Sequence, residues 1–406
     1  MRIPILRDYQ IEISKKACDI LKEKHIVYLA MQVRTGKTLT ALNTAMLFGA
    51  NNVLFLTKKK AIDSIIKDYK EFGYTFNLNV INDEQIEKLD TNYDLIIHDE
   101  HHRFGAFPKP SKRVQLFNKM YGNKPMIFLS GTPAAESYSQ MYHQFWVSNK
   151  SPFKENTFYK WANTYVKIKP KHLGYSVVND YSGANVELID KVINPYVLKY
   201  TQEESGFQSK VNEHILYFPY CCERYTIELE KNLIIQGKDE VILGDTGAKL
   251  MSKIHQLESG TIKFESGNTM TLDKSKAEFI RDYFKGKKIA IFYYYIEELE
   301  LLQSVFLNHT LDLNEFNTTD KIYIGQQYSN ALGVNLSKAD CLVFYNFGFS
   351  GTNYIQSIDR LTTKERMVND VYFVYGKKSL TERVHNVVKK KKNFTSKMYE
   401  RIRDTK

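Results

Sequence analysis

Two short stretches carry residue types that phosphate chemistry needs. The first is Met31-Gln32-Val33-Arg34-Thr35-Gly36-Lys37-Thr38. It follows the apolar run Ile26 to Ala30 and opens a helix-like stretch, Leu39 to Phe48. A turn running into a helix N-terminus offers backbone N–H groups and the positive end of the helix dipole to phosphate oxygens. Lys37 would then reach the β- and γ-phosphates and Thr38 would hold Mg²⁺. Met31 stands where the full G-x-x-x-x-G-K-[ST] pattern has its first glycine. The second stretch is Leu95-Ile96-Ile97-His98-Asp99-Glu100-His101-His102. An apolar strand there delivers two adjacent carboxylates at its C-terminal end, where open α/β sheets bind ligands. Asp99 would hold Mg²⁺ and Glu100 would orient an attacking water. In-line phosphoryl transfer needs both, because its catalysis is mostly positioning and charge neutralisation.

Elements able to position these residues are legible around them. Short apolar runs alternate with amphipathic stretches, an α/β pattern. Strands are expected at Val27 to Val33, Val53 to Thr57, Asp94 to His98 and Pro125 to Ser130, with a helix at Ala61 to Phe72. Their β-branched and aromatic content suits a buried parallel sheet. Residues 136–205 are rich in aromatics and lysine and are expected to form a mostly helical subdomain. Its aromatics would be that subdomain's own core or, alternatively, a surface on which bases stack. A second α/β pattern begins near residue 210, with strands at His214 to Phe218, Lys288 to Tyr294, Lys321 to Gln326, Cys341 to Asn346 and Asp370 to Tyr375. The expected division is therefore 1–205 and 206–406, the latter ending in the basic run Lys389 to Lys392.

The chain has 406 residues, 43% of them hydrophobic, and a net charge of +11. That length calls for more than one domain. The charge favours a polyanionic partner. Cys18, Cys221, Cys222 and Cys341 form no C-x-x-C pair, which speaks against a zinc site or a disulfide framework. The sequence shows no signal-peptide core and no apolar run near the ~18 residues a bilayer requires, so a cytoplasmic protein with no membrane partner is expected.

Further motifs lie in order along the chain, and together they resemble the superfamily 2 DNA helicases and translocases, the DEAD/DEAH-box-like helicases, in their Swi/Snf-like, phage-type branch. Leu6-Arg7-Asp8-Tyr9-Gln10 resembles that branch's adenine-reading element, with Gln10 as reader. Arg34 to Thr38 resembles motif I, with Arg34 where many members have glycine. Leu54 to Lys59 resembles motif Ia, which implies nucleic-acid contacts from Thr57 and Lys58. Asp99-Glu100-His101-His102 resembles motif II in its DExH form. Ser130-Gly131-Thr132-Pro133 resembles motif III, which implies coupling between the ATP site and the strand through His102, Ser130, Gly131 and Thr132. Ile289 to Tyr294, Gly333 to Leu336 and Gln356 to Arg360 resemble motifs IV, V and VI.

The resemblance implies two tandem RecA-like, doubly wound parallel-sheet lobes with a helical aromatic-rich insertion. It implies ATP and Mg²⁺ as cofactors, with Gln10, Arg34, Thr35, Gly36, Lys37, Thr38, Gly333, Gln356, Arg360 and Arg366 at the nucleotide. Arg360 would neutralise charge on the γ-phosphate, an effect of ~10³–10⁵ in rate elsewhere. Thr363 replaces the second arginine of Q-x-x-x-R-x-x-R, so Lys364 or Arg366 becomes the candidate substitute. The implied activity is ATP-dependent movement along, or unwinding of, DNA in replication, recombination or repair, from a phage and so in the host cytoplasm. The DNA contacts would be sequence-independent, and a monomer is compatible with them. An RNA helicase and a slow nucleotide-gated DNA clamp are the alternatives.

Overall fold

The computed structural model describes residues 4–88, 91–134, 137–173, 176–219, 222–330, 334–363, 365–390, 393–395 and 398–399. The chain divides into two compact units, Met1–Phe207 and Gln208–Lys406. Each is α/β, built on a six-stranded parallel sheet with helices on both faces.

In the first unit the strands are β1 (Ile26–Met31), β2 (Asn52–Thr57), β3 (Asn77–Asn82), β4 (Leu95–His98), β5 (Met126–Leu129) and β6 (Val197–Tyr200), in the order β3-β2-β4-β5-β1-β6. The helices are α1 (Asp8–Lys24), α2 (Lys37–Phe48), α3 (Ile62–Glu71), α4 (Lys112–Tyr121), α5 (Met141–Trp146), α6 (Phe158–Tyr165) and α7 (Val186–Ile193). Alternation along β1 explains why its sequence is a continuous apolar run. Ile26 and Tyr28 enter one core with Phe117, Phe145 and Trp161; Val27, Leu29 and Met31 enter the other with Leu21, Leu42 and Ile65. Both faces of the sheet are buried, so neither set of side chains is polar.

The aromatic segment does not form a core of its own. Tyr142, Phe145, Phe153, Phe158 and Trp161 pack into the same cluster as Tyr28 and Phe128 of the sheet. A base-stacking surface is therefore not what these five rings make, since all are buried. Nor is the segment purely helical. It holds an antiparallel hairpin, Lys169–Leu173 with Ser176–Asp180, and ends in β6, which pairs in parallel with β1.

The second unit repeats the plan. Its strands are β7 (Lys210–Tyr217), β8 (Ile289–Tyr293), β9 (His309–Thr310), β10 (Ile322–Gln326), β11 (Cys341–Phe344) and β12 (Val368–Tyr375), in the order β9-β10-β8-β11-β12-β7. Helices α8 (Gly247–Leu257), α11 (Gly351–Ile358) and α12 (Leu380–Val388) cover one face. Helices α9 (Ser275–Tyr283) and α10 (Glu297–Val305) cover the other. Among the described residues no helix is long and apolar enough to cross a membrane.

Candidate nucleotide site

Parallel strands send all their following loops to one edge of the sheet. Because β2, β4, β5 and β1 are consecutive neighbours, Thr57, Asp99–Glu100, Ser130–Thr132 and Gln32–Gly36 are delivered side by side. That is where the order of strands, rather than the order of residues, assembles a site.

The loop after β1 turns twice through left-handed backbone, at Arg34 (φ +64°) and Gly36 (φ +80°). Gly36 is the N-cap of α2, so Lys37 and Thr38 are its first two residues. Met31, buried at the end of β1, belongs to the strand, and the turn begins after it. Arg34 adopts a conformation that costs a non-glycine residue roughly 1–2 kcal/mol. The surroundings hold it there. Thr35 Oγ1 donates to the Gln32 carbonyl at 2.7 Å, and Lys37 Nζ donates to the same carbonyl at 3.2 Å. From β6, the Tyr200 carbonyl accepts from Gln32 N–H at 2.9 Å. Gln202 donates twice, through its backbone to Gln32 Oε1 (2.8 Å) and through Nε2 to the Val33 carbonyl (2.9 Å). Helix α1 closes the other side. Tyr9 hydroxyl donates to the Thr35 carbonyl at 3.0 Å and its ring stacks on Tyr200, centroids 4.6 Å apart. Gln10 Nε2 donates to the Gly36 carbonyl at 3.4 Å. Gln10 therefore reaches the loop from α1. Tyr9, Tyr200 and Gln202 were not expected; the last two lie far along the chain, with no local pattern to mark them.

The acidic pair follows β4. Asp99 is fixed by Thr57 Oγ1, which donates to Oδ2 at 3.0 Å, and by Glu100 N–H, which donates to Oδ1 at 2.9 Å. Burial, with the adjacent Glu100 carboxylate, pushes Asp99 up to about 6, against the pull of Lys37. Glu100 has φ +50°, left-handed backbone again. Its Oε2 lies 3.3 Å from His102 Nδ1, which is also 3.0 Å from Ser130 Oγ. Burial pulls His102 down to about 4, so this contact is a hydrogen bond to a neutral ring and not an ion pair. A proton on Nδ1 serves both oxygens. Ser130 Oγ accepts from Thr132 N–H at 3.1 Å, which ties the loop after β5 to the same point. Gly131 sits beside Lys37: a Cβ built there would lie 3.6 Å from Nζ.

Two expected positions take a different place. Thr57 is buried, and its hydroxyl donates to Asp99. Lys58 is only partly exposed. Burial and nearby Arg103 hold its amine below the ordinary value, against the pull of Glu100, Asp83 and Asp99.

In the second unit, Gln356 is buried in α11, and Arg360 lies in the 3-10 turn Asp359–Leu361 that follows. Arg360 Nε donates to the Gln356 carbonyl at 2.5 Å, and its own carbonyl accepts from Leu336 N–H at 3.1 Å. Gly333 lies outside the described residues, as does Lys364. Arg366, expected at the nucleotide, is instead built into the frame of its own unit. Its guanidinium donates to the carbonyls of Ala339 (2.6 Å), Val368 (3.1 Å), Ser337 (3.5 Å) and Asp340. Thr363 Oγ1, at the position of the missing arginine, accepts from Arg366 N–H at 3.1 Å. The planar fork of an arginine suits a ring of carbonyls that must be held in place before β11.

A protein-family model described as "Type III restriction enzyme, res subunit" matches residues 3–79. The match runs from the N-terminal arm through α1, β1, the phosphate-loop candidate, α2, β2 and α3 into β3, and it indicates a helicase-like superfamily 2 domain. No curated protein matches the chain.

Proposed function

We propose that the chain hydrolyses ATP with Mg²⁺ and uses the cycle to move along or unwind DNA, as a member of the Swi/Snf-like branch of superfamily 2. One observation carries the reading: neighbouring loops bring an ammonium, a carboxylate pair and a Ser–His contact to one sheet edge. Lys37 and the N–H groups opening α2 would hold the phosphates. Asp99 and Thr38 would hold Mg²⁺, which takes one or two protein ligands and fills its shell with phosphate and water. That donor set fits this ion, since both donors are oxygens, the Asp99 carboxylate held by Thr57 and the Thr38 hydroxyl at the start of α2. When bound, the metal neutralises charge on the phosphates. Glu100, oriented through His102, would position the water. Arg360 is the second unit's candidate for neutralising transition-state charge. The net charge of +11 supports a polyanion as partner.

The test is steady-state ATP turnover alone and with single-stranded, duplex and forked DNA and with RNA, alongside displacement of a labelled strand. DNA-stimulated turnover that is lost in Lys37→Ala is the expected result. Stronger stimulation by RNA would make this an RNA helicase. Background turnover with ATP-dependent DNA retention would make it a clamp.

A further inference from the structure

We propose that Gln144 is a positioning residue that ties the turn carrying Glu100 and His102 to the loop carrying Ser130 and Thr132. The proposal rests on the ATPase reading for what those two loops do, and on geometry alone for their being tied.

Gln144 lies in α5, fully buried among Tyr28, Phe128 and Phe145. A buried amide must have its hydrogen bonds met, and here each goes to a different element. Oε1 accepts from the Tyr28 hydroxyl of β1 at 2.7 Å. Nε2 donates to the Pro133 carbonyl at 2.8 Å and to the Gln140 carbonyl of its own helix at 3.1 Å. The backbone carbonyl of Gln144 lies 2.7 Å from His101 Nε2. A carbonyl only accepts, so His101 carries its proton on Nε2. Its Nδ1, 2.7 Å from His98 Nδ1, is then the acceptor in a neutral ring, and His98 donates. His98 is left with a bare Nε2 against the rings of Phe104 and Phe117.

His101 is thus gripped on three sides, for its ring also lies flat on Phe128 of β5, centroids 3.7 Å apart and planes 3° apart. The residue before it is Glu100, in left-handed backbone; the residue after it is His102. Such a backbone persists only where its surroundings over-determine it. The grip on His101 supplies that, and Gln144 is the residue that joins it to Pro133. A methionine of the same length would fill the space and keep the backbone carbonyl for His101, but it would release the Pro133 loop. The amide fixes the Pro133 loop beside the turn that the same residue's carbonyl holds, which gives a role to a polar residue amid Tyr142, Phe145 and Trp146.

Three variants test this. Gln144→Met removes the side-chain bonds to Tyr28, Pro133 and Gln140 at nearly constant shape. Gln144→Glu keeps the acceptor for Tyr28 and loses the donor to Pro133. Tyr28→Phe removes one hydroxyl and guards against a variant that fails to fold. Gln144→Met is expected to lose about tenfold or more in kcat, the scale of a sub-ångström misplacement. Its KM for ATP should stay within about threefold, since binding groups are untouched. Gln144→Glu should fall between it and wild type. Combining Tyr28→Phe with Gln144→Met should cost less than the sum of the two, because they share one bond, although the hydroxyl also meets Ser130. A wild-type kcat in Gln144→Met, or a KM that rises as much as kcat falls, would reduce Gln144 to core packing. Hydrogen exchange supplies a readout that needs no activity. In Gln144→Met, residues 130–134 should lose protection while 99–104, still held by the backbone carbonyl, keep most of theirs; unchanged protection at 130–134 overturns the link. Should the wild-type protein show no ATP turnover, the ATPase reading fails and the exchange result alone decides whether the loops are tied.

Discussion

Gln10 and Gly36 compete for one space: a Cβ built on Gly36 would lie 2.1 Å from Gln10 Nε2 and 3.3 Å from its Cδ. Gly36 also has φ +80°, so a substitution there meets two separate penalties. Gly36→Ala should destabilise the first unit by about 1–2 kcal/mol from the backbone alone, plus the displacement of Gln10. The second penalty is removable. Gln10→Ala gives up Oε1 as acceptor for Arg7 N–H at 2.9 Å, a cost at the start of α1. It also clears the space. The double variant should therefore be more stable than the sum of the singles predicts, by roughly 0.5–1 kcal/mol in urea unfolding. Strict additivity would mean that Gln10 does not sit on the loop.

The Thr57–Asp99 bond separates two readings of the same residue. If Thr57 serves the acidic pair, Thr57→Val should cut ATP turnover by about tenfold through a misplaced carboxylate. DNA affinity and its salt dependence should not change, since a lost phosphate contact would lower the salt slope by about one. Thr57→Ser, which keeps the hydroxyl, should restore most of the turnover. Weakened DNA binding with normal turnover would reverse the assignment.

Much of this site was legible in sequence because its parts follow strands whose two faces are both buried. Such strands are apolar runs with sharp ends, and Lys37, Asp99, Glu100 and Ser130 stand just beyond those ends. Edge strands carry no such mark. In β3, Asn77, Asn79 and Asn82 interrupt the apolar residues, and β6 is four residues long with Lys199 among them. The bracing residues are harder still to find. Gln202 reaches Gln32 and Val33 across about 170 positions of chain, and Gln144 meets His101 across a separation of 43. Only the strand order that returns β6 to the side of β1 brings the first pair together. Arg366 shows the converse. Its sequence position beyond Arg360 marked it as a second nucleotide arginine, but its guanidinium donates to the carbonyls of Ser337, Ala339 and Asp340.

Arg360 and Arg366 should therefore fail in different ways. Arg360→Ala is expected to lose ~10³-fold or more in kcat, as the loss of an arginine finger does elsewhere. Its nucleotide affinity should stay within a few-fold, and Lys at that position should not rescue it. Arg366→Ala should instead destabilise the second unit by about 2–3 kcal/mol, having removed several charge-assisted bonds to carbonyls. The folded fraction should retain turnover. Loss of kcat in Arg366→Ala at unchanged stability would return it to the nucleotide.

Acid should unfold the first unit before the second. Burial holds His98 well below its usual value, His101 at about 3, and His102 and His143 at about 4, all in the first unit. Unfolded, each binds a proton near pH 6.5. Between there and pH 4 the unfolded chain thus carries more protons, so stability is full above pH 6.5 and is lost as pH falls. Four such groups give a slope of about 5 kcal/mol per pH unit near pH 5. Asp99 works in the opposite sense. Raised to about 6, it is protonated first in the folded state, and it offsets one histidine between pH 6 and 4. In the second unit the balance is closer. His255 and His385 are held at about 3 and 4, but Glu258 and Glu298 are raised by burial and oppose them. Both tryptophans, Trp146 and Trp161, belong to the first unit, so tryptophan fluorescence follows that unit alone. Its urea midpoint should fall steeply from pH 6.5 to 5, while hydrogen exchange in β8 and β11 of the second unit changes little. His143→Gln, which removes one of a net three protons once Asp99 is counted, should flatten the fluorescence slope by about a third. A midpoint that stays level from pH 7 to 5 would mean that these histidines are not held neutral by burial.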